Sequence, residues 1–186
     1  GIRHRIEYVG EADGVRYVDD SKGTNVDATV KAVGCMKGDT VLLLGGKDKG
    51  YDYDKLFVRL RSSPVVHAVL YGENRFRLFE SALRCGFDRI SLCAGFDFAV
   101  RLARMAASRG QTVLLSPASA SFDEFAGYEE RGDRFVAIVR SFEEESRERE
   151  KGGGERPEGD KSDRVPAPDG AVSSPGPSDG GEEKAE

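Results

Sequence analysis

Apolar residues along most of the chain follow two alternating rhythms. Near the start, Ile6, Tyr8 and Val9, and then Val15, Tyr17 and Val18, flank Ala12-Asp13-Gly14. Two β-rich runs around an Asp-Gly pair predict a β-hairpin over His4–Asp20. Beyond it, short apolar runs predict strands at Thr40–Leu44, Val65–Tyr71, Arg89–Cys93 and Gln111–Leu115. Between them the period lengthens to that of a helix. Val26, Val30 and Val33 predict a helix over Val26–Met36, with Gly38 as its stop, and Leu56, Phe57 and Leu60 predict one over Tyr53–Arg61. Arg75–Cys85, Phe96–Ser108 and Gly132–Glu145 complete the set. Strands alternating with helices place the chain in the α/β class. The expected architecture is a Rossmann-like, mostly parallel sheet with helices on both faces, entered through the N-terminal hairpin.

The rhythm stops near Arg147. From there the only apolar residues are valines and alanines among Gly, Pro, Ser and charges, with no aromatic, Leu or Ile. Such a segment buries too little surface to offset its chain entropy. The expected division is therefore a folded domain over residues 1–146 and a disordered, acidic Gly/Pro-rich tail over 147–186. The tail explains why only 38% of the 186 residues are hydrophobic and holds most of the net charge of −5. The folded part is nearly neutral and has no basic face, which argues against nucleic acid as a partner. No apolar run approaches a membrane span and no signal peptide opens the chain, so no membrane is expected and the location is read as cytoplasmic. Cys35, Cys85 and Cys93 are odd in number and lack CxxC spacing. With two histidines in the whole chain, they read as buried or half-buried thiols of a reducing compartment rather than zinc ligands, and no metal site is assigned. The first residue is Gly rather than Met, which suggests a fragment of something longer.

Three segments after strand-like runs carry the candidate chemistry. Asp19–Asn25 reads DDSKGTN, Leu42–Gly50 reads LLLGGKDKG, and the third runs from Leu114 to Phe135 through SPASASFDEFAGYEERGD. In an open α/β sheet, ligands bind beyond the carboxyl ends of the strands. In the first segment Gly23 permits a tight turn, Thr24 or Asn25 can cap the following helix, and Lys22 adds a cation beside its N–H groups. In the second, Gly45-Gly46 allows close approach, and Lys47 and Lys49 can face one way toward a carboxylate or phosphate. In the third, small residues with free N–H and hydroxyl groups precede Phe122, Phe125 and Tyr128, which suits a pocket with a polar lip; the plainer alternative makes the aromatics core and Arg131 with Asp133 a local ion pair, and it is preferred for Phe125 and Phe135. The chain has no G-x-x-x-x-G-K-[ST] phosphate loop and no G-x-G-x-x-G, so it offers anion-holding groups without a nucleotide cradle of its own.

These motifs, in this order, resemble the C-terminal domain of the Mur ligases, in particular their D-glutamate-adding branch. The likeness runs from about His4 to Ser146, with SPASASFDxFxxYxxRGDxF and DSKGTN as its signatures. The D-N-P-R motif of the diaminopimelate-adding branch is absent. The resemblance implies a monomeric three-domain enzyme that joins D-glutamate to UDP-N-acetylmuramoyl-L-alanine with ATP and Mg²⁺. An N-terminal domain would hold the UDP-sugar and a central domain the phosphate loop and the metal. It also implies that His4, Arg5, Asp20 and Lys22 lie toward ATP, and that Thr24, Lys49, Ser121, Phe122 and Tyr128 surround D-glutamate. It implies no role for Lys47 and identifies no general base. Two other readings stand beside it: a free-standing nucleotide-binding module, and a non-catalytic interaction domain whose working part is the tail.

Overall fold

The computed structural model describes residues 2–152. The hairpin consists of β1 (Glu7–Ala12) and β2 (Val15–Asp19), paired antiparallel around Asp13 and Gly14, both with positive φ. There follow α1 (Val26–Gly34), β3 (Thr40–Gly45), α2 (Asp54–Leu60), β4 (Val65–Tyr71) and α3 (Arg75–Arg84). Then come β5 (Ile90–Leu92), α4 (Phe96–Ala106), β6 (Thr112–Leu115) and α5 (Tyr128–Gly152). The six strands form one sheet in the order β1-β2-β6-β3-β4-β5, parallel except for β1.

Alternation along each strand divides the core. In β3, Val41 and Leu43 face one side, where they join Phe96, Val100 and Ala103 of α4 and Phe135, Val139 and Phe142 of α5. Leu42 and Leu44 face the other, with Val33 of α1, Leu56, Phe57 and Leu60 of α2 and Leu78 of α3. Both faces are covered, so β3 and β6 are continuous apolar runs after Thr40 and Thr112, and β4 is one apart from His67, as buried parallel strands require. All six residues of β3 are buried.

The topology fixes where a ligand can sit. β6 is inserted between β2 and β3. The chain leaves β3 toward β4 through α2, whereas it leaves β6 toward α5, which packs back over β1 and β2. Neighbouring strands whose connections depart in opposite directions define a topological switch point. The loops after β3 and β6 flank it, with the loop after β2 alongside.

Several expectations are refined. The cap of α1 is Asn25, whose side chain accepts the Ala28 N–H at 2.9 Å; Thr24 is not the cap. α5 begins at Tyr128 rather than Gly132. It also runs through Gly152, six residues past the composition-based boundary at Ser146. An isolated polar sequence would not hold that last turn and a half, but here it continues a helix already nucleated by Phe135, Val139 and Phe142. The rest of the expected tail lies outside the described residues. Cys93 is buried and Cys85 half-buried, but Cys35 is exposed at the end of α1, where the helix has turned away from the core. No described helix is long and apolar enough to cross a membrane. At the sheet edges, β1 carries a register irregularity between Tyr8 and Gly10, Glu143 of α5 accepts the Glu11 N–H at 3.2 Å, and β5 is three residues long.

Candidate functional site

The loop after β2 is folded by its own polar groups. The Gly23 N–H donates to Asp20 O at 2.7 Å, and a Cβ on Gly23 would collide with the Asp20 carboxylate. Asp19 and Asp20 are fully buried. Asp19 accepts the Ser21 N–H at 2.8 Å and faces His4 Nδ1 at 2.7 Å. Asp20 accepts the Ser116 hydroxyl at 2.7 Å, and Arg5 Nη1 lies 3.7 Å from its other oxygen, which has no hydrogen-bond partner. Burial raises the Asp20 carboxyl above its ordinary range, opposed by the Ser116 hydrogen bond and by Arg5. His4 and Lys22 both approach Tyr128. The His4 ring lies edge-on at 6.4 Å between centroids, and Lys22 Nζ lies 5.6 Å from the ring centre. His4, Arg5, Asp20, Lys22 and Tyr128 therefore form one cluster, with Thr24 half-buried just beyond it. His4, Glu7 and Asp19 bring potential metal-ligand atoms within 4.8 Å of one another. Those atoms are already engaged, since Glu7 accepts the His4 N–H at 2.8 Å and Asp19 faces the His4 ring.

The loops after β3 and β6 are laced together across the switch point. Gly45 N–H donates to Pro117 O at 3.0 Å and Lys47 N–H to Ala120 O at 2.9 Å. Gly46 has φ +144°, and a Cβ there would run into Ala120 O, so only glycine allows this approach. Beneath them Asn74 donates to Tyr53 Oη at 2.7 Å and to Ser119 Oγ at 2.8 Å, a buried polar knot. The two lysines of GGKDKG do not act as a pair. Lys47 Nζ is bound to Glu73 at 2.7 Å, whereas Lys49 is exposed and makes no ion pair among the described residues. Glu73 and Lys47 hold each other in their charged forms. Ser121 is buried and its carbonyl accepts the Glu124 and Phe125 N–H groups. Asp123 accepts the Glu73 N–H, and Glu124 accepts the Phe96 N–H at the start of α4. This clamp leaves the Phe122 ring 63% exposed over an open cavity of about 490 Å³ shared with Lys47, Arg75 and Gly95.

Ser121 and Phe122 thus accompany the β3 loop, while Tyr128 stands with His4 and Lys22. The local ion pair that the sequence left open is not made. Arg131 does not pair with Asp133. It is completely buried, and its Nη2 donates to Ser21 O at 3.0 Å and to Ser119 O at 2.9 Å. Asp133 instead binds Arg3 at 2.5 Å. In the first turn of α5 a side chain two positions away points elsewhere, so the two residues do not meet. Phe135 is core and Phe125 packs against it, as expected.

Fold and loops together define a class: an open α/β domain whose three loops meet at its switch point. The family model for the Mur ligase, glutamate ligase domain matches residues 4–119, and the chain belongs to that family. A UDP-N-acetylmuramoylalanine–D-glutamate ligase from Pelotomaculum thermopropionicum is 46% identical over 142 residues, covering 76% of this chain and 31% of the relative. The chain thus spans about a third of the length of the curated relatives it matches. Among solved structures, a murein peptide ligase from Psychrobacter arcticus superposes with a TM-score of 0.54 at 14% identity, over 75% of this chain and 30% of that one. A bifunctional folylpolyglutamate synthase/dihydrofolate synthase from Yersinia pestis, solved with AMPPNP and a manganese ion, gives 0.51 at 13% identity, over 75% and 32%. These structures share the fold.

Proposed function

We propose that this chain is the D-glutamate-positioning, ATP-closing part of an ADP-forming ligase that joins D-glutamate to UDP-N-acetylmuramoyl-L-alanine in peptidoglycan synthesis. The observation that carries the reading is the meeting of three loops at one switch point, with two separate cations, Lys22 and Lys49, on different loops. An exposed ammonium on the β3 loop, unpaired among the described residues, and the Ser121 hydroxyl on the loop laced to it suit a dicarboxylate amino acid. The Asp20 carboxylate, held between Ser116 and Arg5, is assigned to the ribose side, and Lys22 suits a phosphate chain. The names of the 40–46% identical relatives support the choice of D-glutamate. The nucleotide and divalent ion in the Yersinia pestis structure are consistent with ATP and Mg²⁺.

In the proposed reaction the substrate's terminal carboxylate takes the γ-phosphoryl group of ATP, releasing ADP. The amine of D-glutamate then attacks the acyl carbon, the C–N bond forms and phosphate leaves. The magnesium ion would supply charge neutralisation on the phosphates. The described residues offer it no open ligand set, so it is assigned to the central domain that the family resemblance implies. This chain's residues bind and orient: Lys49, Thr24, Ser121 and the backbone near Phe122 hold the amino acid, while Lys22, Arg5, Asp20 and His4 close on the nucleotide. The proposed enzyme is monomeric and cytoplasmic.

The test is a chimera in which this chain replaces the C-terminal third of one of the named relatives. D-glutamate-dependent phosphate release from the chimera, with none from the chain alone, is the expected result. Turnover by the isolated chain, or a folded chimera that binds neither ligand, would remove the proposal.

A further inference from the structure

We infer that Arg131 is a positioning residue that fixes the distance between the Lys22 loop and the Ser121 loop. The inference deepens the proposed function and rests on it only for the ligands, not for the coupling. Arg131 is fully buried, yet no carboxylate lies within ion-pair distance of it among the described residues. A buried, unpaired guanidinium is costly to desolvate, and an apolar side chain of similar volume would fill the space more favourably. What an apolar side chain cannot do is bind two carbonyls. Arg131 Nη2 holds Ser21 O at 3.0 Å and Ser119 O at 2.9 Å, each with one of its two hydrogens. Ser21 is adjacent to Lys22, and Ser119 is two residues before Ser121. One nitrogen thus ties the segment proposed to meet phosphate to the segment proposed to meet D-glutamate.

Two glycines let the backbones converge on this side chain. A Cβ on Gly132 would strike the His4 ring and the Ser21 hydroxyl, and one on Gly46 would lie 3.2 Å from Arg131 Nη1. The β2, β3 and β6 loops therefore all reach Arg131 from above. Its Nε and Nη1 donate to no acceptor at good geometry, and its charge is felt by Tyr71 and Glu124 without being matched by an ion pair. A fixed positive charge beneath three loops favours anions on their far side. Ligand reach then depends on loop spacing, and a displacement on the order of 1 Å can cost roughly a hundredfold in rate.

The test uses Arg131→Met, which keeps much of the volume but neither charge nor donors, and Arg131→Lys, which keeps the charge on a single ammonium. First, amide hydrogen exchange is measured on the chain itself. The Gly23, Ala118 and Lys47 amides, hydrogen-bonded to Asp20 O, Gly23 O and Ala120 O, are the reporters, and Leu43 in β3 is the control. In Arg131→Met the three reporters are expected to exchange about tenfold faster or more while Leu43 is unchanged. Second, in the chimera described above, kcat is expected to fall roughly ten- to a hundredfold with KM for ATP and D-glutamate each changed less than about threefold. Arg131→Lys should lie between the two, and it is read by the same criteria if Arg131→Met does not fold. Unchanged reporter exchange overturns the coupling whatever the activity. Faster exchange with unchanged kcat overturns the positioning role and leaves a purely structural arginine. Faster exchange in a chain whose wild-type chimera is inactive upholds the coupling and removes the ligase reading instead.

Discussion

The Ser116 hydroxyl donates to Asp20 Oδ2 at 2.7 Å across the carboxyl ends of two adjacent parallel strands, with both residues fully buried. The same hydroxyl lies 3.0 Å from Thr29 Oγ1 in α1. A carboxylate held here is kept by the site against its own solvation. Burial raises the Asp20 pKa, so the folded chain binds its proton more tightly than the unfolded chain. Stability contributed by protonated Asp20 is therefore present at low pH and lost as pH rises from the unfolded value through the raised folded one. Asp20→Asn should raise the thermal midpoint at pH 7 by a few degrees while weakening nucleotide binding. A lower midpoint at pH 7 would contradict the burial account.

Asp13 behaves in the opposite sense. At the hairpin turn it accepts hydrogen bonds from the Ser146 hydroxyl, Arg104 Nη2 and Arg149 Nη2, the last two at 2.8 Å, and these partners hold its carboxyl far below the ordinary range. Its stabilising contribution is present above the unfolded value of about 3.8 and lost as pH falls toward the depressed folded one. The side chain is 39% exposed, so solvent screens much of the effect. Asp13→Asn should lower stability by about 1 kcal/mol at pH 7 and flatten the acid limb of the stability curve between pH 4 and pH 2. An unaltered acid limb would show that the cluster contributes nothing.

Gly132 lets α5 approach the β2 loop closely, beside the contacts made by Tyr128 and Arg131. Gly132→Ala inserts a methyl group against His4 and Ser21, and both are tied to Asp19. Overpacking of this kind costs roughly 1–3 kcal/mol, despite the better helix propensity of alanine. The variant should melt earlier, and the His4 ring resonances should shift in the NMR spectrum. A stabilised variant would show that the loop gives way freely.

Lys49 and Lys22 can be separated by paired substitution in the chimera. Lys49→Ala should raise KM for D-glutamate roughly ten- to a hundredfold and leave ATP little affected. Lys22→Ala should show the reverse ranking. Reversed specificities would exchange the two assignments. No effect of either would leave GGKDKG as a solvated turn.

The alternation of strand and helix was legible because both core faces are built from regular periods: Val41 and Leu43 against Leu42 and Leu44, and Phe96 against Val100 and Ala103. Glycines and lysines marked the loops for the same local reason. What was not legible is long-range. Nothing near Arg131 in the chain says that its partners are the carbonyls of Ser21 and Ser119, because backbone acceptors carry no side-chain signature. Lys47 and Lys49 look equivalent until Glu73, from the loop after β4, claims one of them. Asn74 and Tyr53 sit in unremarkable helix-start positions, and only the folded chain brings them to Ser119. The start of α5 at Tyr128 was hidden by Gly132, which reads as a helix breaker but is required by the approach of His4.

The two edges of the sheet bear on how this domain behaves in concentrated solution. β1 is bent by its irregular register and has its Glu11 N–H occupied by Glu143, and β5 ends after three residues. Neither side offers a long straight row of free donors and acceptors that another chain could extend. Edge-to-edge pairing between copies of this domain is therefore disfavoured at both sides of the sheet, whatever its concentration.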